Sequence, residues 1–249
     1  MNYLVGDIGN SFIKISILKE NFIIKKSYSF DTQKIYNKKD LKKFFKKFLK
    51  KSCYSKVLFS SVVPSAFKII KNYLKKKKFA VFEIKDLKIK KLIKIKIKNF
   101  KNLGSDRIVN AIGSNKYKNC LIIDFGTATT FDIIKNRKYE GGVIAPGINL
   151  SILNLNKFTA LLPLLKLKAN QKSYGKNTTE ALNAGFLWGY EGLVNNIINK
   201  IILKSKTGYK IILTGGYAKL FKKFIKRKTE VDQDVTIKGT AKVFKELLL

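Results

Sequence analysis

The sequence predicts an α/β protein made of two related lobes, each a mixed sheet flanked by helices. Three observations carry this. Apolar strand-like runs alternate with stretches of helical period along the chain. The stretches YLVGDIGNSFIKISIL (Tyr3 to Leu18) and LIIDFGTATTFD (Leu121 to Asp132) both read as strand, aspartate, glycine turn and second strand. A unit that occurs twice implies a duplicated half-molecule with a cleft between the copies. The division is placed at 1–114 and 115–249.

Each repeated unit carries its own chemistry. In the second, Asp124 ends the apolar run and Gly126 is followed by the hydroxyls of Thr127, Thr129 and Thr130. In the first, Asp7 and Gly9 precede Asn10, Ser11 and Lys14. A carboxylate at a strand end beside hydroxyl and backbone donors is a place to hold phosphate and a cation. One such Asp-x-Gly is also an ordinary turn; two in the same context are harder to dismiss.

The elements follow in order. Asn21 to Phe30 alternates as a strand. Between Asp40 and Lys51, Leu41, Phe44, Phe45, Phe48 and Leu49 fall on one helical face with lysines opposite. Lys56 to Ser65 reads as a strand ending in Ser60 and Ser61, and Pro64 opens a helix to about Leu74. IKIKIK, Ile93 to Lys98, is a strict period-two strand whose lysines guard an edge. At NLGSDRIVNAIGS, Gly104 and Ser105 turn the chain and Asp106 with Arg107 starts a helix. Asp106 reads equally as a cap or as a proton acceptor beside a guanidinium able to hold a carboxylate. The glycines and proline of Gly141 to Gly147 allow close backbone approach to a ligand or a neighbouring strand. Leu161 to Leu167 and Trp188 read as core. Asn177 caps a helix with Glu180 three residues on. Gly185, Gly189 and Gly192 on one face of that helix imply a partner helix. Thr214, Gly215 and Gly216 end a further apolar strand before a helix, as at nucleotide sites.

Composition sets bounds. Lys+Arg 52 against Asp+Glu 16 gives a formal charge of +36, which ordinarily points to nucleic acid or an anionic membrane. The basic residues are nearly all lysines spread over solvent-facing positions, whereas direct base reading favours arginine forks, so no specific nucleic-acid partner is expected. Histidine is absent, and Cys53 and Cys120 lack metal-ligand spacing, which excludes a zinc site and a histidine triad. Reduced cysteines, no export signal and no membrane-length apolar run point to a cytoplasmic protein with no membrane partner.

With these residues assembled, the chain resembles the type III pantothenate kinases, members of the superfamily of actin, Hsp70 and the acetate and sugar kinases. DIGNS (Asp7–Ser11), SSVVPS (Ser60–Ser65), GSDR (Gly104–Arg107), DFGTATT (Asp124–Thr130), GGVIAPG (Gly141–Gly147), GKNTTEAL (Gly175–Leu182) and TGG (Thr214–Gly216) occur in the family's order and spacing. The resemblance implies two ribonuclease-H-like lobes with the active site in the cleft between them. It implies ATP-dependent phosphorylation of pantothenate, the first step toward coenzyme A, by a cytoplasmic homodimer using Mg2+ and a monovalent cation, K+ or NH4+. It makes Asp106 the catalytic base, with Gly104, Ser105, Asp106, Arg107 and Thr178 contacting substrate. It assigns ATP to Asp7, Ile8, Gly9, Asn10, Ser11, Phe12, Ile13, Lys14 and Thr127, the monovalent cation to Asp124 and Mg2+ to Asp7. Ile97 and Phe100 stand where the family usually has tyrosine and proline, and Asn10-Ser11 replaces Asn-Thr while keeping the hydroxyl. The competing readings are another phosphotransferase or phosphohydrolase of the superfamily, and a regulatory or nucleic-acid-binding relative on the same fold.

Overall fold

The computed structural model describes residues 2–47, 49, 53–170 and 173–249. They fall into two compact units that do not follow a single cut of the chain. One holds residues 1–116, 137–140 and 234–249; the other holds 117–136 and 141–233.

In the first unit, β1 (Asn2–Ile8), β2 (Phe12–Leu18) and β3 (Ile24–Asp31) form an antiparallel meander. Strand β4 (Cys53–Ser61) lies parallel to β1, and β5 (Ala80–Glu83) parallel to β4. Parallel neighbours need crossovers rather than tight turns, and α1 (Lys38–Lys46) and α2 (Pro64–Lys75) supply them. Asn37 starts α1 by accepting the N–H groups of Lys39 and Asp40, and the helix buries Leu41, Phe44 and Phe45. Leu49 packs on the same core; Phe48, Lys50 and Lys51 of the expected helix lie outside the described residues. The sheet order is β3-β2-β1-β4-β5.

The strict strand expected over Ile93 to Lys98 is corrected. Only Lys94 and Ile95 form β6, which pairs with Lys138 and Tyr139. Ile93 is drawn into the core, 3% exposed, and after Lys96 donates to the Tyr139 carbonyl the pairing ends. Next comes α3 (Ser105–Gly113).

The second unit repeats the plan. β7 (Cys120–Phe125) and β8 (Ala128–Lys135) are antiparallel, and β9 (Lys138–Pro146) continues the meander. The two-residue link between β8 and β9 places Asn136 (φ 51) and Arg137 (φ 57) in left-handed conformations, the signature of a hairpin turn whose twist matches its strands. Helices α4 (Ile148–Lys157) and α5 (Thr178–Ser205) lead to β10 (Lys210–Gly215), parallel to β7. The single turn α6 (Ala218–Phe221) leads to β11 (Thr229–Val231), parallel to β10. The order β9-β8-β7-β10-β11 is that of the first sheet strand for strand, so the duplication expected from the two Asp-turn units is present in the topology.

The last helix, α7 (Val235–Leu248), groups with the first unit because it packs on α3 and β1. That packing brings backbones together: a Cβ on Gly239 would collide with the Val109 carbonyl, and one on Gly113 would lie 2.6 Å from the Val235 oxygen.

Two expectations for the second unit are overturned. Within Leu161 to Leu167, Leu161 and Leu164 are 90% and 60% exposed and only Leu165 is buried, because this stretch runs without regular structure along the surface. Trp188 is 45% exposed rather than core, since it sits on the face of α5 turned away from Leu187 and Tyr190, which the core takes. Among the described residues nothing lies within 4 Å of a Cβ built on Gly185, Gly189 or Gly192, so the partner helix expected for that face is not one of the described helices of this chain. Among the described residues no helix is long and apolar enough to cross a membrane.

Candidate active site

The start of α3 forms one constellation. Gly104 is its N-cap and gives no side-chain cap; Ser105 is the first helical residue and Asp106 the second. Asp106 is therefore not the cap. Its Oδ1 instead accepts the Arg107 N–H at 2.8 Å, one of the helix-end donors that have no intrahelical partner. A Cβ on Gly104 would strike that same Oδ1, so glycine is what lets the carboxylate fold back over the turn. Burial pushes the Asp106 carboxyl up, against the opposing effects of the Arg107 N–H and the nearby Arg107 and Lys85 charges. Burial leads, so the carboxylate is a stronger base than an ordinary aspartate even though the neighbouring guanidinium works against it.

In the same unit, Asp7 lies at the end of β1, opposite Lys14 across the hairpin and beside Ser60 of β4. The Gly9 N–H donates to the Phe12 carbonyl at 3.0 Å, closing a tight turn with Asn10 and Ser11 exposed at its tip. Lys14 Nζ is 2.6 Å from Asp234. Ile8 and Ile13 point into the core and Phe12 is exposed, so Ile8 and Ile13 can offer a ligand only their backbone.

In the second unit, Asp124 is the penultimate residue of β7, opposite Thr130 and beside Thr214 of β10. Gly215, at φ 84, runs so close that a Cβ there would lie 2.5 Å from Asp124 Oδ1. Gly147, N-cap of α4, presses on the Gly126 and Thr127 carbonyls with no room for a Cβ. The close approach expected of the Gly141–Gly147 glycines is thus realised at Gly147 against a neighbouring loop. Asn177 caps α5 by accepting the Glu180 N–H at 2.9 Å, and Glu180 reaches back to the Lys176 N–H at 2.9 Å, so Thr178 stands exposed as the first helical residue.

Two residues with no motif signal hold these loops. Buried Thr32 donates its hydroxyl to the Gly9 carbonyl at 2.8 Å and its N–H to the Ser11 carbonyl at 3.0 Å, clamping the first loop from beyond β3. Glu83, at the end of β5, accepts the Ser105 hydroxyl at 2.5 Å. Neither is legible locally, because each acts on a segment more than twenty residues away in sequence.

Comparison with known proteins gives the arrangement its context. The model of the type III pantothenate kinase family matches residues 3–200. The chain is 45% identical to the type III pantothenate kinase of Pelagibacter ubique, over 95% of this chain and 96% of that protein. This chain belongs to the type III pantothenate kinase family. A second member, from Dictyoglomus turgidum, is 36% identical over 95% of this chain and 96% of its own. The activity is accordingly ATP-dependent phosphorylation of pantothenate toward coenzyme A.

Solved structures confirm the fold. A Sinorhizobium meliloti protein provisionally assigned as 2-dehydro-3-deoxygalactonokinase superposes with TM-score 0.62 at 9% identity, covering 98% of both chains. The activator of 2-hydroxyisocaproyl-CoA dehydratase from Clostridium difficile, with bound ADPNP, superposes with TM-score 0.59 at 14% identity, covering 97% and 92%. At these identities the likeness concerns architecture alone: the α/β fold of the actin-like ATPases and sugar kinases, with mixed sheets flanked by helices.

Proposed function

We propose that Asp106 is the general base of this pantothenate kinase. It accepts the proton of the pantothenate hydroxyl as that oxygen bonds to the γ-phosphorus of ATP and the bond to the ADP oxygen breaks. The observation that carries the reading is the Asp106 carboxylate itself, folded over Gly104, held by the Arg107 N–H and made more basic by burial. In a chain without histidine, a carboxylate of raised pKa is the side chain suited to general-base work near neutral pH. Arg107 offers a planar fork for the pantothenate carboxylate, with Gly104, Ser105 and Thr178 as the other substrate contacts.

ATP phosphates are assigned to the Asp7–Lys14 turn, whose exposed tip presents Asn10 and Ser11, and to Thr127. Among the described residues no group of three His, Cys, Asp or Glu side chains gathers as a cage, which suits Mg2+ held by one carboxylate, Asp7, together with phosphate oxygens and water. Mg2+ held there by Asp7 would supply positive charge to neutralise the transferring phosphoryl group. Asp124 fits a monovalent cation: its carboxylate and the Phe125 carbonyl border the space that a Cβ on Gly215 would fill, and Thr130 and Thr214 stand beside it in register on the neighbouring strands. A monovalent cation held there by Asp124 would supply positive charge to offset the negative charge of the carboxylate and of nucleotide phosphates.

The open α5 face of Gly185, Gly189 and Gly192 with exposed Trp188 supports a homodimer built on that helix. Cys53 and Cys120, far apart in sequence and without metal-ligand spacing, support a cytoplasmic location, and the lysine-rich surface is read as solvated, with no specific nucleic acid. Pantothenate-dependent ADP release, titrated with K+, tests the site. Asp124→Asn should lose activation by K+ while Asp106→Asn loses turnover at every K+ concentration; K+ activation unchanged in Asp124→Asn would refute the cation assignment.

A further inference from the structure

The end of β5 is fastened to the segment that begins α3 by two side-chain hydrogen bonds. Ser105 Oγ donates to Glu83 Oε1 at 2.5 Å, and Lys85 Nζ donates to the Lys101 carbonyl at 2.9 Å. The second oxygen of Glu83 accepts the Lys85 N–H at 2.6 Å, so the carboxylate ties its own strand end to the first residue of the neighbouring helix. Ser105 is completely buried. A bond to its hydroxyl therefore fixes the helix N-terminus itself, immediately before Asp106. Burial pushes the Glu83 carboxyl up, opposed first by the Ser105 bond and then by the Lys85 N–H. An acidic side chain withdrawn from water in this way is costly unless its bonds do something for the fold or the site.

We propose that Glu83 is a positioning residue for Asp106: by accepting the Ser105 proton it pins the first turn of α3 to the end of β5 and sets where Asp106 and Arg107 stand. This rests on Asp106 being the base. It also restricts Ser105, because a hydroxyl whose proton is committed to Glu83 has no proton to give a substrate. What Ser105 offers pantothenate is then its backbone N–H, free at the first helical position of an intrahelical partner.

The test is a double-mutant cycle of Glu83→Ala, Ser105→Ala and the double variant, with Glu83→Gln as the conservative rescue, reading kcat, both KM values and Tm. Glutamine keeps both contacts with its Oε1 accepting the Lys85 N–H and its Nε2 donating to the Ser105 oxygen, so the Ser105 bond is reversed in direction but still ties the helix start to β5. Small misplacements of a reacting group lower rate steeply, about 10²-fold for 1 Å. Each alanine variant should therefore lose kcat by roughly tenfold or more with the KM for ATP unchanged, and the double variant should be no slower than the slower single. Glu83→Gln should return to within about threefold of the parent. Losses that multiply in the double variant, a Glu83→Ala that lowers Tm but not kcat, or a Glu83→Gln as slow as the alanine would each overturn the proposal. Should Glu83→Ala fail to fold, Ser105→Ala decides: an unchanged kcat overturns it. Near-normal turnover in Asp106→Asn would instead remove the underlying assignment of the base, a separate outcome.

Discussion

Gly147→Ala isolates a contact in the second unit that touches the proposed ATP residue without changing it. A Cβ at this position would lie 2.5 Å from the Thr127 carbonyl carbon and 2.7 Å from the Gly126 oxygen. Carbon atoms normally pack at about 3.5–4.0 Å, so the loop carrying Thr127 has to retreat by about 1 Å. Neither side of the contact is a flexible side chain: Gly147 is the N-cap of α4 and the loop is backbone that links β7 to β8. A displacement of about 1 Å can lower rate by about 10²-fold, and overpacking of this kind destabilises by about 1–3 kcal/mol. The assay is steady-state ADP release with ATP varied at saturating pantothenate, alongside thermal unfolding. The expected result is a kcat/KM for ATP down by roughly 10²-fold in a protein that remains folded. Values for ATP within twofold of the parent would refute the reasoning that Gly147 sets the Thr127 loop.

Three further outcomes follow from the same geometry. Gly104→Ala displaces only the Asp106 carboxylate and touches Val62 at 3.4 Å, so kcat should fall at least tenfold while Tm moves little; a large Tm loss with intact kcat would contradict it. Gly239→Ala drives a methyl into the Val109 carbonyl, and overpacking of about 1–3 kcal/mol or more should exceed the helix-propensity gain of about 1 kcal/mol. Its Tm should fall by about 2–4 °C per kcal/mol of net loss, with kinetics intact at low temperature; an unchanged or higher Tm would refute this close α3–α7 packing. Asp106→Asn should be more stable than the parent at pH 7. The folded carboxyl is raised, so the folded state binds the proton more tightly than the unfolded one. Ionised Asp106 thus destabilises the fold as pH rises from the ordinary aspartate range of about 4 through its raised value, and the destabilisation persists above it. The Tm difference between variant and parent should close as pH falls below about 4; a difference that widens on acidification would reverse the sign.

Much of this was legible in the sequence, and the failures have physical causes. The two Asp-turn hairpins, the crossover helices and the Asn177–Glu180 cap are local patterns fixed by neighbouring residues, and they appear where the pattern puts them. IKIKIK has an ideal strand period, but a strand needs a partner edge, and the edge it meets spans Lys138 and Tyr139. Leu161, Leu164 and Trp188 are apolar, which says what they prefer and not what covers them. Their exposure, like the open glycines of α5, is decided by tertiary packing. Asp106 reads in the sequence as cap or base alike; its place as second helical residue, behind an N-cap of Gly104, excludes the cap and leaves the base as the proposal. Thr32 and Glu83 carry no motif because each bonds a loop brought to it only by the completed sheet.

The measurement that bears most directly on Asp106 is pantothenate-dependent ADP release by Asp106→Asn, with ATP binding followed in parallel. The substitution keeps the oxygen that accepts the Arg107 N–H and removes the capacity to take a proton. Turnover should fall by the general-base contribution, about 10² to 10⁴-fold, with ATP affinity close to that of the parent. A variant turning over at near the parent rate would contradict the assignment of Asp106 as the base.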